Sequence, residues 1–367
     1  MQPVRGNTKV PPARLARVVE HARHHLYRLH QRLVPAPVAM SELIIGAWVT
    51  QAIHAAAELG IADALADGPL SADDLAERVQ ADPEALERLL RALITRGVFR
   101  RLGDGRYALT PLADTLRLDA PASMAGGAQF YGSPQHREHW SLLVDSVRTG
   151  QPSVPPLRGK EFFDFLASEP ELAGLFDAAM TSVSELALGP IVAAGYDFTQ
   201  YSTIVDVGGG HGRFLAAMLE AAPAAQGVLY DLPQVVAGAP SLLNRYGVHD
   251  RVRIESGSFF DAVPTGGDLY TLKLIIHDWP DEQATRILRS VRDAIRPDAT
   301  MLLVEQVIPN HDREFLGKWA DLEMLLCLAG RERTAGQYRE LLAGAGFEMT
   351  KVVQTAAPFT LVEAKPS

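Results

Sequence analysis

Hydrophobic positions change their period part-way along the chain. In DPEALERLLRALITRGV (82–98), Leu86, Leu89, Leu90, Leu93 and Ile94 stand at i, i+3, i+4, i+7 and i+8, the spacing of one helical face. Asp82 is placed as an N-cap and Pro83 as the first helical residue, so the start is doubly marked. SADDLAERVQ before it reads as another helix, capped by Ser71 with Asp73 and Asp74 in the first turn. VFRRLGDGRYALT after it reads as two short strands around Gly103-Asp104-Gly105. Two short helices and a hairpin predict a winged helix-turn-helix. Upstream, a helical pattern runs from about Ser41, a fair N-cap, to Gly60, a fair stop. Residues 120–195 read as mostly helical. From Tyr201 strands and helices alternate: TIVDVGGG, GVLYDLP, VRIESGSFF, LYTLKLII and ATMLLVEQVI are strand-like, with helices at RFLAAMLEAAP and about 281–295. A last helix over about 334–345 and two strands near 347–364 complete a doubly wound α/β pattern.

Composition narrows the class. Of 367 residues, 47% are hydrophobic and 22% charged, ordinary for a soluble globular chain of about two domains. No run approaches the roughly 18 consecutive apolar residues of a membrane span, and the N-terminus lacks the apolar core of a secretory signal. Cys327 is the one cysteine, which excludes an internal disulfide and a cysteine-based zinc site and suits a reducing cytoplasm. Net charge is −9, so nucleic acid is not the default partner. The charge is uneven, because residues 1–35 carry Arg5, Lys9, Arg14, Arg17, Arg23, Arg28 and Arg32 against one acid, Glu20. Leu15, Val18, Val19, Leu26, Leu29 and Leu33 make this stretch a partly amphipathic helix ending at Pro35. It reads as a solvated or partner-packed extension, ahead of a membrane-surface helix. His21, His24 and His25 could share a face, but without a cysteine beside them they are not read as a metal site.

The candidate chemistry lies at strand ends, where open α/β sheets bind ligands. The first strand of the alternating half runs into VDVGGGHGR, whose Gly208, Gly210 and Gly212 allow a tight turn and close approach of a ligand to backbone. Arg213 stands where the dinucleotide fingerprint G-x-G-x-x-G has its third glycine. Asp231 ends the next strand, in LYDLP; a carboxylate there can accept from both ribose hydroxyls, or simply cap the strand. Ser258, Phe259 and Phe260 follow the third strand, where an adenine can pack. LYTLKLII turns abruptly polar at His277-Asp278-Trp279-Pro280, and Glu305 is a lone carboxylate in an apolar strand. Phe130, Tyr131, Trp140, Phe176 and Met180 crowd the helical middle, as core or as the wall of a pocket for a flat ligand.

Asp206-Val-Gly208-Gly209-Gly210-His211-Gly212, with Asp231-Leu-Pro after it, resembles the S-adenosylmethionine site of class I methyltransferases. LKLIIHDWPDE and AGRERT (329–334) resemble the small-molecule O-methyltransferases of plant caffeic-acid and bacterial polyketide type, whose N-terminal winged helix is a dimerisation domain. The resemblance covers about 41–367. It implies a basic extension over 1–40, a helical winged-helix dimerisation and substrate-lid domain over 41–195, and a Rossmann-like, doubly wound S-adenosylmethionine domain over 196–367. It further implies that Asp206, Gly208 and Gly210 surround the methionine portion, that Asp231 and Leu232 hold the ribose, and that Ser258, Phe259 and Trp279 meet the adenine. Lys273 would contact the nucleoside, and Met180 and Ser184 would touch cofactor and substrate. The family often has an acid at the Ser258 position, so that contact should be weaker here. His277 matches the catalytic base, flanked by Glu305 and Glu332. S-adenosyl-L-homocysteine would be the product, and the chain would form a homodimer.

The chemistry sets a requirement. An acceptor oxygen attacks the sulfonium's methyl in line, and a phenol does so best as phenolate. Full transfer of its proton to an ordinary histidine would cost about 5 kcal/mol, from pKa values of about 10 and 6.5. A carboxylate beside His277, Glu332 or Glu305, is expected to raise the ring's pKa and fix its tautomer. Asp278 reads as a cap or dipole partner of helix 281–295, or as pocket wall; Asp321 as facing the pocket or pairing with Lys318 or Arg339; Trp319, Met324 and Leu325 as pocket wall. No Asp/Asn cluster marks a magnesium site, so a metal-independent reaction on a small aromatic, quinol or polyketide-type hydroxyl is expected. Two other readings stay open. One is a ligand-sensing DNA-binding regulator using Arg88, Arg91, Arg96, Arg100, Arg101 and Arg106. The other is a methyltransferase-fold enzyme drifted to chemistry such as hydroxylation, against which His277 speaks. The glycine spacing disfavours an NAD dehydrogenase.

Overall fold

Strands β3 (Thr203–Val207), β4 (Gln226–Asp231), β5 (Val252–Ser256), β6 (Leu269–Lys273) and β7 (Thr300–Glu305) run parallel; helices join them except between β5 and β6, where residues 257–268 are irregular. In the computed structural model, which describes residues 10–367 apart from the side chains at 185, 186, 190 and 193, they share a seven-stranded sheet with β8 (Phe347–Gln354) and β9 (Thr360–Pro366). Arg5 and Lys9 of the basic extension lie outside the described residues. The order is β5-β4-β3-β6-β7-β9-β8, with β9 antiparallel to both neighbours. Alternate side chains leave opposite faces of a strand. Ile204, Leu229, Leu269 and Leu302 therefore pack with helix Arg213–Ala221 on one face. Val205, Val228, Tyr270 and Leu303 pack with helices Asp281–Ala294 and Ala335–Gly344 on the other. Burial on both faces explains why these strands are continuous apolar runs. The connections leave β3 in opposite directions, so its carboxyl end is the switch point where a ligand crevice opens.

The N-terminal part has its own core of Leu75, Leu86, Leu90, Leu93, Phe99 and Tyr107. Its predicted caps are present: Ser71 Oγ accepts from Asp74 N, and Asp82 Oδ1 from Ala85 N. Strands β1 (Phe99–Arg101) and β2 (Tyr107–Leu109) form the expected hairpin. Helix α1 (Ala13–Arg32) ends where Pro35 predicts. The next helix starts earlier than expected, since α2 (Ala36–Ile44) and α3 (Gly46–Glu58) place Ser41 mid-helix. Pro35-Ala-Pro37 preset the first turn, which makes a hydroxyl cap unnecessary. Gly60, with φ of 63°, ends α3 as predicted. One stretch, Ala36–Glu58, is apolar and long enough by length and composition to cross a membrane, and its apolar window contains no buried residue. Counting consecutive apolar residues overlooks it, because single polar residues interrupt the run.

Two strands end sooner than their apolar sequence suggests. β5 stops at Ser256, before the Ser258–Phe260 segment. β6 stops at Lys273, because Leu274 takes φ of 54° and turns the chain aside. A left-handed backbone costs a non-glycine residue about 1–2 kcal/mol. His277 thus lies not on a strand tip but on a 3-10 turn, Ile276–Asp278, that begins beyond it.

Candidate active site

The glycine turn follows β3. Gly208, Gly210 and Gly212 have φ of 68°, 60° and 84°, the region glycine enters without penalty. Gly208 N and Gly209 N both donate to Tyr230 O, at 2.8 and 3.3 Å. A β-carbon on Gly208 would stand 2.5 Å from Ile275 Cδ1, whereas one on Gly210 would meet nothing within 4 Å. Asp231, at the end of β4, accepts from Gly210 N at 2.8 Å and Leu232 N at 2.7 Å. A carboxylate has about four lone-pair positions, so two remain for hydroxyls. Asp206 is buried, accepts from Thr271 Oγ1 at 2.7 Å and leaves Oδ2 unpartnered. Burial pushes its pKa up to about 6. Lys273 Nζ donates to Ser184 Oγ at 3.0 Å, and burial lowers its pKa. Phe259 and Phe260 meet Trp279 edge-on, with centroids 6.2 and 4.7 Å away, and Ser258 Oγ accepts from Phe260 N. Open space above Gly210, unused lone pairs on Asp231, an unpartnered Asp206 oxygen and a group of rings fit an adenosyl cofactor.

The His277 ring is buried between acids from two directions. Nδ1 lies 2.8 Å from Glu332 Oε1, and Nε2 lies 3.3 Å from Asp278 Oδ1. Glu305, fully buried, accepts from Ile276 N at 3.0 Å instead of touching the ring. Of Glu305 and Glu332, the two carboxylates left open from sequence, Glu332 is the one in contact with the ring. Burial disfavours an imidazolium, but Glu332 and Asp278 outweigh it and lift the ring's pKa to about 10. Burial pushes Glu305 up to about 7 and Asp278 up to about 6. Oε2 of both Glu305 and Glu332 is buried without a partner. Ligand atoms of His277, Glu305 and Glu332 lie within 4.8 Å of one another, close enough to hold an ion. Three separate elements supply them, so no sequence cluster announced the grouping.

Other residues hold this turn in place, and sequence reasoning missed them. Arg333, fully buried, donates to Ile276 O at 2.9 Å, Trp279 O at 2.8 Å and Asp281 Oδ1 at 2.8 Å. Gly330 sits so close that an added β-carbon would lie 2.2 Å from His277 O. Both were visible in AGRERT as a glycine and an arginine beside Glu332, without a stated task. Asp278 is not the expected helix cap. Pro280 occupies the cap without a side-chain bond, and Asp278 faces the ring instead. Asp321 pairs with neither Lys318 nor Arg339: it accepts from Glu332 N at 2.8 Å, while Lys318 donates to His311 O and Arg313 O. Trp319, expected in the pocket wall, is 55% exposed and donates to Glu314. Met324 is buried and Leu325 half-buried on the same helix, Leu316–Cys327. Phe130, Phe176, Met180 and Trp140 do come together, with Tyr131 5.3 Å from Phe130.

The comparisons decide the family. Residues 140–348 match the O-methyltransferase domain, and residues 41–118 match the O-methyltransferase dimerisation domain. The chain belongs to the O-methyltransferase family. The phenazine O-methyltransferase PhzM of Lysobacter antibioticus is 38% identical over 91% of this chain and 97% of its own length. An 8-amino-8-demethylriboflavin N,N-dimethyltransferase of Streptomyces davaonensis is 36% identical over 85% and 90%. A solved O-methyltransferase of neocarzinostatin biosynthesis, holding S-adenosylmethionine and 2-hydroxy-5-methyl naphthoic acid, aligns with a TM-score of 0.73 at 33% identity, covering 87% of this chain and 96% of that one. The O-methyltransferase is therefore S-adenosylmethionine-dependent and of the secondary-metabolite type. The segment read as a winged helix belongs to its dimerisation domain, which removes the motive for a DNA-binding reading.

Proposed function

We propose that this O-methyltransferase methylates a phenolic, quinol or polyketide-type hydroxyl on a flat aromatic molecule, as a homodimer, with His277 removing the proton. The 2.8 Å contact between His277 Nδ1 and Glu332 carries the reading. A carboxylate on Nδ1 keeps that nitrogen protonated and leaves Nε2 to accept. Asp278 lies 3.3 Å from Nε2, longer than a good charge-assisted bond, and an acceptor hydroxyl takes its place. Against burial, Glu332 and Asp278 raise the ring's affinity for a proton, which makes the neutral ring a stronger base toward a phenol; the cost then lies in freeing Nε2 of its own proton rather than in deprotonating the phenol. S-adenosylmethionine, when bound, supplies an electrophilic methyl. Asp231 would hold its ribose hydroxyls, the Gly208–Gly210 turn its methionine portion, and Phe259 and Trp279 its adenine. Ser258 offers a hydroxyl there, and Lys273, Ser184 and Met180 close the other side. Glu332 and Asp278 stabilise the positive ring until its proton leaves to solvent. A proton on Nδ1, shared with Glu332, accounts for the close His277–Glu332 pair without a metal.

Calorimetry with S-adenosylhomocysteine and with NAD tests the cofactor, and turnover on a phenol panel after dialysis against a chelator tests the rest. Binding of the first ligand alone, with singly methylated product unaffected by the chelator, is the expected result. Loss of turnover on chelation, restored by a divalent ion, would replace the proton with a metal.

A further inference from the structure

Glu323, on helix Leu316–Cys327, has no task in the methyl transfer. Its side chain is only 17% exposed. It accepts from His136 Nε2 at 3.1 Å, Trp140 Nε1 at 2.5 Å and Cys327 Sγ at 3.4 Å. Burial alone would raise its pKa, but the bonds from His136, Trp140 and Cys327 hold it below the usual glutamate value. An ionised carboxylate therefore sits inside an aromatic cluster. A row of rings joins it to the His277 turn: Trp279 to Phe163 at 6.5 Å, Phe163 to Phe176 at 6.4 Å, Phe176 to Phe130 at 5.3 Å and Phe130 to His136 at 5.3 Å. Phe163 and Tyr131 are 38% and 37% exposed, and Trp140 and Phe176 half-buried, so these rings face accessible space. On the other side the chain runs from Glu323 to Gly330, which packs against His277 O. The helix that carries Glu323 ends at Cys327, and residues 328–330 lead on from it to Gly330, so one short stretch of chain separates Glu323 from the His277 turn.

We infer that Glu323 binds the end of the acceptor remote from the methylated oxygen and selects molecules carrying a hydrogen-bond donor there, such as an aryl amine, a ring N–H or a second hydroxyl. The inference rests on the proposed methyl transfer at His277. Among the donors on Glu323, the Cys327 thiol is the weak one. A substrate N–H or O–H replaces it with a charge-assisted bond. An acceptor lacking the donor leaves the thiol in place, so no group is orphaned. Discrimination is then about one to two powers of ten, below the 10⁴ seen where a site is left unpaired. A carboxylate at that end meets like charge and is rejected.

The test is the affinity of the protein–S-adenosylhomocysteine complex for 5-amino-1-naphthol and for 1-naphthol, in the wild type and in Glu323→Gln. The wild type should prefer the amine at least about tenfold, and the variant should lose most of that preference. If Glu323 merely fastens helix Pro134–Ser141 to helix Leu316–Cys327, both affinities fall together and the ratio stands. An unchanged ratio in the variant, or a wild type that binds the two equally or neither, overturns the inference. Failure of the underlying chemistry shows separately, as a preserved affinity ratio without methylated product.

Discussion

Two glycines of one turn are glycine for different reasons. Gly210 has φ of 60° but open space around its missing β-carbon; Gly208 has φ of 68° and Ile275 Cδ1 2.5 Å from that position. Gly210→Ala should cost about 1–2 kcal/mol of stability, the backbone penalty alone. Gly208→Ala should cost more, because Ile275 must move, and Ile275 adjoins the His277 turn. Melting temperatures check the order, which a less stable Gly210→Ala protein would reverse. Glu305 yields a prediction on pH. Its pKa is raised by burial from 4.5 to about 7, so the folded chain binds more protons than the unfolded one in between. That contribution is complete below about pH 4.5 and is lost as pH rises through about 7. It amounts to about 3 kcal/mol, from 1.36 kcal/mol per unit. Glu305→Gln should flatten the fall in stability across that window; an unchanged profile would place the titration elsewhere.

At the scale of elements, the His277 turn is suspended rather than anchored in a strand. Leu274 breaks β6, Glu305 of β7 holds Ile276 N, and Arg333 holds the carbonyls of Ile276 and Trp279. Removing Arg333 orphans two buried carbonyls, at about 1–3 kcal/mol each. Arg333→Met should therefore lower stability by several kcal/mol, and kcat more than the affinity for S-adenosylhomocysteine. A variant with wild-type kcat would contradict that positioning role. This turn also marks where sequence reasoning stopped. Strand periodicity located the sheet, and a polar break after apolar residues located His277. The break itself depends on a left-handed Leu274, which propensity disfavours and tertiary bonds impose. Asp278, Asp321 and Arg333 were legible as residues but not as partners, because their partners lie on other elements.

For the whole molecule, the caps, the hairpin and the alternating half were readable from local pattern. The surface was not. In α1 and at its C-cap, Leu15, Val19, Ala22, Leu26, Leu29 and Leu33 recur at alternating steps of four and three, the spacing of a helix–helix seam, and all are exposed. Trp48 of α3 is 71% exposed, beside Leu43 and Ile44 of α2. A contiguous apolar surface of this kind marks an interface, and α3 lies within the matched dimerisation domain. Leu26→Glu with Leu29→Glu should weaken the dimer measured by sedimentation velocity. Unchanged association, with binding to anionic vesicles instead, would assign the seam to a membrane surface.

The account centres on one proton moving to one nitrogen. Its most direct test is the pH–rate profile of His277→Gln against the wild type on a phenolic acceptor. At pH 7 the variant should lose about 10²–10⁴ in kcat, the usual worth of a general base, while still binding S-adenosylhomocysteine. The deficit should shrink above the acceptor's own pKa, where the phenolate forms unaided. Turnover at pH 7 equal to the wild type, or a deficit that does not change with pH, would contradict it.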